Sequence, residues 1–180
     1  PFKKLMNELV IQPAKMVNST FDDTFFLEDY STIAIPYDSN GTVHKEAPMR
    51  NPIFSTGLLW TTATDLALFN LAFTRALRGE DNLINQKLAE SLIIPSSTPT
   101  RSLGFFIGNK NAQEDSKGDY IFHSGSNIGY LSLSIINKNG KKGAVILINK
   151  GPNPFTTTNI PEYSFITDSL KMISKYNRWD

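Results

Sequence analysis

The chain has 180 residues, with 18 Lys and Arg against 17 Asp and Glu, a formal net charge of +1, and 40% apolar and 19% charged residues. That is enough chain for one hydrophobic core, and the near-neutral balance lacks the concentrated positive field of a nucleic-acid binder. Zero Cys excludes thiolate metal sites, disulfides and cysteine nucleophiles; His44 and His123 stand too far apart for a local metal motif, and apolar runs of about five residues are too short to span a membrane.

The chain opens on Phe2, Leu5, Met6, Leu9 and Val10 at near-helical spacing. This predicts an amphipathic helix ending near residues 11–13, because Pro13 disfavours helical geometry before it. A helix with no cap or lead-in reads as the continuation of an upstream element, which would carry any targeting signal. Asn18-Ser19-Thr20 reads as a turn and matches a glycosylation sequon. Residues 21–46 are aromatic and polar without sustained period, with a short strand expected at 32–35 and a turn at 38–41.

Thr62 or Thr64 then caps a helix whose broad apolar face holds Leu66, Leu68, Phe69, Leu71, Ala72 and Ala76, and Gly79 ends it. A shorter helix is expected at 85–92, before Pro95. From residue 103 the pattern changes to strands, at 103–108, 119–123, 129–137 and 143–149, with 138–142 as the last hairpin turn. Residues 160–176 form a closing helix with Tyr163, Ile166, Leu170, Met172 and Ile173 apolar. Helices and loops over 1–101, then an antiparallel meander and a helix over 102–180, make one α+β unit.

Chemistry concentrates in Phe122-His123-Ser124-Gly125-Ser126-Asn127-Ile128-Gly129-Tyr130. A strand there ends in a titratable His, a hydroxyl and a Gly that lets another molecule approach the backbone. The plain reading of the same residues is a turn punctuated by Gly and Ser.

This segment, followed by two hairpin strands, resembles the third motif of the serine β-lactamase and penicillin-binding-protein superfamily, and in particular its β-lactamase-related serine hydrolases. Residues 56–66, Thr-Gly-Leu-Leu-Trp-Thr-Thr-Ala-Thr-Asp-Leu, resemble that family's Gly-Gly-Leu, Ser-Thr-Ala, Asp-Leu segment. Residues 9–21, with Pro13, Met16 and Ser19-Thr20, resemble its Pro-Leu-Gly-Met, Ser/Thr-Thr-Phe segment. The order of the three matches the family.

The resemblance implies the C-terminal portion of a serine β-lactamase-like fold, with the His-Ser-Gly element on an edge strand. His123 would take the place of the family's Lys, supporting the site electrostatically and moving protons. Ser124 would offer its hydroxyl to substrate, and the backbone N–H of Ser126 would join the oxyanion hole, where one fixed donor is worth on the order of 3 kcal/mol of barrier. Gly125 and Asn127 would bind substrate. The chemistry implied is opening of an amide or ester through an acyl-serine, on a small-molecule or peptide substrate, with no metal or organic cofactor. The implied compartment is periplasmic or secreted.

Two family elements are missing. No Ser in the chain has Lys three positions on, so the Ser-x-x-Lys nucleophile is absent, as is Tyr-x-Asn or Ser-x-Asn. Both precede residues 9–21 in the family. The expectation is therefore a C-terminal half without its nucleophile, inactive alone. Its strand at 143–149 would be left open to pair with the missing N-terminal half or with a second copy. The alternative is a non-catalytic binding module that kept the scaffold.

The remaining candidates have simpler readings. Asp65 at a helix start acts as a cap or faces the dipole. Trp60 is either a core aromatic or a wall of the cleft. His44 is expected on the surface, and Lys141-Lys142 is a solvated hairpin tip. A Ser124-His123-Asp65 triad is disfavoured, because adjacent strand residues point to opposite faces and no Gly-x-Ser-x-Gly elbow exists.

Overall fold

The computed structural model describes residues 2–22, 24, 32–44, 57–80, 83–108, 120–151 and 161–178. Helix α1 (Phe2–Met6) runs into a π-helical turn over Asn7–Ile11. That change of period breaks the expected amphipathic face: Ile11 is buried, whereas Leu5 and Leu9 are exposed. Asp22 ties the helix to the segment after it. Its carboxyl lies below the ordinary carboxylate value, chiefly because the Thr24 side chain and backbone donate to it, with Lys3 adding a weaker contribution.

Helix α2 (Ala63–Leu77) begins as its sequence predicts. Thr62 is the N-cap, its Oγ1 accepting the Asp65 N–H at 3.2 Å. At the other end Glu80 N–H bonds Arg75 O and Gly79 N–H bonds Ala76 O, with Gly79 at φ +71°, a Schellman stop. Helix α3 (Gln86–Leu92) is capped by Asn85, which accepts the Leu88 N–H at 2.8 Å.

The sheet has four antiparallel strands in the order β1-β2-β3-β4. They are β1 (Phe106–Gly108), β2 (Tyr120–Asn127), β3 (Tyr130–Asn137) and β4 (Gly143–Ile148). β1 starts three residues later than expected, because Gly104 at φ +88° turns the chain just before it. β2 runs four residues past the expected end at His123. Pairing with β3, a non-local constraint, carries the strand through the Ser-Gly-Ser segment. Helix α4 (Pro161–Tyr176) closes the chain; Ile166 and Leu170 pack inward, while Met172 is exposed. The side chain of Tyr163 lies outside the described residues.

Strand alternation sorts the core into two layers. One sheet face carries Ile121 and Ile136 against Phe73 and Ala76 of α2 and Ala89 of α3. The other carries Phe122, Leu131, Leu133, Ile146 and Ile148 against Ile166 and Leu170 of α4. A third cluster joins Ile11, Ala14 and Met16 to Ala72 and Leu83.

The expected strand at 32–35 does not form. Pro36 has no N–H to give a ladder, and only Tyr37 bridges, to Val43 and to Lys150. Tyr37 N–H donates to Asn149 O and Gly151 N–H to Tyr37 O, so this segment caps the end of β4.

Candidate active site

Hydrogen-bond direction along β2 follows from two bonds elsewhere in the sheet. Asn137 N–H donates to Lys142 O at 2.7 Å, so the odd residues of β3 bond toward β4 and the even ones toward β2. Ile107 N–H donates to Thr100 O, so Phe106 and Gly108 bond toward β2. Both constraints give the same result. On β2, residues 121, 123, 125 and 127 bond β3, while 120, 122, 124 and 126 direct N–H and C=O to the opposite side. β1 covers only residues 120–122 of that side. From His123 to Asn127, β2 is an open edge among the described residues, and Ser124 and Ser126 present their backbone groups along it.

The side chains flank this edge from two faces. Alternation places His123 and Gly125 with Ser134 and Ser132, their partners on β3, on the α2 side. The His123 ring is exposed and lies 5.8 Å from the ring of Phe106, the last residue before the edge opens. Phe106 stacks on Phe122 at 5.3 Å, and the Arg101 guanidinium lies 5.1 Å over it. A Cβ on Gly125 would come within 2.7 Å of Ser132 Oγ, so the glycine leaves room for the Ser132 hydroxyl as it is turned here.

Ser124 and Ser126 fall on the α4 side, opposite Leu133 and Leu131. Ser126 Oγ is buried with no hydrogen-bond partner among the described residues, so what Ser126 offers the edge is its N–H. Asn127 Oδ1 accepts the Ile128 N–H at 2.8 Å within the hairpin turn. His123 and Ser124 leave the strand on opposite faces and do not form a triad with Asp65.

The three sequence stretches meet around this edge. Thr20 and Trp60 exchange backbone hydrogen bonds, each 2.9 Å. Buried Asp65 accepts the Asn18 N–H at 2.6 Å and the Ser19 hydroxyl at 2.8 Å. It thus has a structural role, but as a tether that holds the 18–20 segment to the start of α2, whereas the cap expected of it is supplied by Thr62. Trp60, half-buried, meets Tyr130 edge to face at 5.8 Å, joining the second stretch to the end of the third. Tyr130 donates to Ala34 O at 2.8 Å. His44 is half-buried, not a surface residue: its N–H donates to Pro36 O, and its Nε2 is buried without a partner among the described residues.

Sequence reading missed Asn70, Ser132 and Ser134. The Leu-Ser-Leu-Ser alternation of β3 is the signal that would have found the two serines, since it sets a small polar face behind β2.

No family model matches the sequence. It is 24% identical over 149 residues to a curated protein of Bacillus subtilis (strain 168) named "Putative penicillin-binding protein PbpX", covering 82% of this chain and 34% of that protein. The structure matches a penicillin-binding protein from Bacillus halodurans with a TM-score of 0.61 at 19% identity, covering 83% of this chain and 44% of that one. It matches a β-lactamase/D-alanine carboxypeptidase from Pseudomonas syringae with a TM-score of 0.64 at 15% identity, covering 83% and 49%. The fold is that of the C-terminal part of the serine β-lactamases and penicillin-binding proteins. Within this β-lactamase-like fold the chain spans about a third of the length of its curated relative and under half of these two structures. No helix among the described residues is long and apolar enough to cross a membrane.

Proposed function

We propose that the chain supplies the edge-strand half of a serine hydrolase that opens an amide or ester through an acyl-serine. The observation that carries this reading is the open edge of β2, where Ser124 and Ser126 direct their backbone groups away from the sheet with His123 beside them. In such a site the Ser126 N–H is a fixed donor to the developing oxyanion. His123, exposed beside Phe106, is placed to exchange a proton with the leaving group or its activating residue. Ser124 and the Asn127 amide face substrate from the edge.

The nucleophile belongs to a Ser-x-x-Lys element that these 180 residues lack, so they act with the N-terminal part of the same domain. The outer edge of β4 is where that part, or a second copy, pairs. Periplasmic or secreted placement follows from the same reading. A binding module without catalysis is the alternative.

The test is acylation of the natural full-length protein by a fluorescent penicillin and by an activated ester, with and without His123→Ala. We expect labelling at a Ser-x-x-Lys serine and a fall of roughly 10²- to 10⁴-fold in the variant, with Tm unchanged because His123 is exposed. Unchanged labelling removes His123 from the chemistry. Labelling of a serine within these 180 residues overturns the division of the site, and no labelling at all favours the binding module.

A further inference from the structure

Asn70 is an unusual residue in its place. It lies in the middle of α2, is buried at 6% exposure, and has poor intrinsic helix propensity. A buried amide needs partners, and this one has them across the core. Its Nδ2 donates to Ser134 Oγ at 2.8 Å, and Ser134 Oγ lies 3.0 Å from Asn70 Oδ1, within reach to donate back. Ser134 is the register partner of His123. The neighbouring Ser132 turns its hydroxyl toward Gly125, where a Cβ would meet it at 2.7 Å.

Apolar contacts between α2 and the sheet are non-directional and allow sliding, whereas an amide–hydroxyl pair fixes a register. The helix that Asn70 pins also carries, near its start, Asp65, which accepts from Asn18 and Ser19, and the adjoining Thr20 exchanges backbone hydrogen bonds with Trp60. Next to the β2 edge, α2 is thus tied to the sheet by a buried polar contact, in addition to the Arg78 bond to Asn139 O at the far end of the helix and the Trp60–Tyr130 ring contact.

We propose that Asn70 is a positioning residue: through Ser134 it fixes the His123-to-Ser126 edge relative to helix α2 and to the 18–20 segment that Asp65 holds to that helix. The proposal rests on the hydrolase reading for its effect on rate, but its structural part stands apart from catalysis. Misplacing a catalytic group by about 1 Å lowers rate by roughly a hundredfold, so a residue that acts only on geometry has a large kinetic effect.

The experiment compares Asn70→Ala, Ser134→Ala and the double variant in the full-length protein with Ile166→Val, which loosens the opposite face of the sheet without a polar link. Two readouts are taken: the backbone amide resonances of His123, Ser124 and Ser126, and the acylation rate at saturating and limiting reagent. We expect both single variants to shift these resonances and to lower the saturating rate roughly ten- to a hundredfold, with little change in half-saturation. The double variant should be no worse than either single one. Ile166→Val, at a comparable fall in Tm, should do neither. Unmoved resonances, additive losses, or an equal kinetic loss in Ile166→Val overturn the positioning role. A parent protein that is not acylated overturns the hydrolase reading, and the resonances still decide the role of Asn70.

Discussion

Along β2 the open edge reads His-Ser-Gly-Ser-Asn; along β4, two strands away in the same sheet, it reads Ala-Val-Ile-Leu-Ile. Both edges expose unpaired backbone groups among the described residues, the usual invitation to another strand, yet they are built for different visitors. The β2 edge is five residues long, bounded by β1 at one end and the Ile128-Gly129 turn at the other. Its side chains are small or polar, so a ligand can approach and leave. The β4 edge is apolar on both faces, as in a strand buried on both sides. Ile146 and Ile148 pack toward α4, while Val145 pairs with Ser134 on the α2 side. Tyr37 already covers its far end. One edge suits reversible docking and the other a permanent polypeptide neighbour.

The sharpest way to break the β2 edge is at its turn. Gly129 has φ +69°, and a Cβ there would meet Pro36 Cβ at 2.5 Å. Gly129→Ala should therefore cost on the order of 2–4 kcal/mol, from left-handed strain plus overpacking, read as a fall in Tm with loss of the contact to residues 34–37. A variant as stable as the parent would show that this turn does not define the edge.

Gly125→Ala should cost less, about 1–3 kcal/mol, by pressing on Ser132 Oγ. Adding Ser132→Ala should recover most of that in chemical denaturation. Failure to recover it would place the demand for glycine elsewhere than in the spacing of β2 and β3.

The smallest expected effect on the chain itself is at β4. By the alternation that Asn137 fixes, the Val145 N–H points away from β3. Val145→Pro should leave the internal ladder intact, at about 1 kcal/mol or less, and abolish pairing at the outer edge in sedimentation. Association that survives the proline would mean that the partner binds elsewhere.

Much of this was legible in the sequence because local chemistry decided it. Thr62, Gly79 and Asn85 mark helix ends through caps and positive φ, and the 138–142 turn sets the last hairpin. The full length of β2 was not legible, since residues 124–127 are extended only because β3 pairs with them. The first helix lost its amphipathic face to a π turn that apolar spacing does not announce. The placement of 34–37 over Gly129 depends on Pro36 and Tyr37 meeting a turn more than ninety residues away. The site was legible as residues but not as an edge: His123 and Ser124 stood out by type, whereas the direction of each N–H came only from the ladder. Asn70 looked like an ordinary polar residue in a helix until Ser134 appeared across from it.

Whether β2 takes the ligand and β4 the polypeptide is decided by amide hydrogen exchange in the full-length protein before and after acylation by an activated ester. The Ser126 N–H, and with it Ser124, should become protected on acylation, while Val145 and Leu147 exchange at the same rate in both states. An acylated protein in which Ser126 stays unprotected, or in which protection appears at Val145 and Leu147 instead, would overturn this division of the two edges.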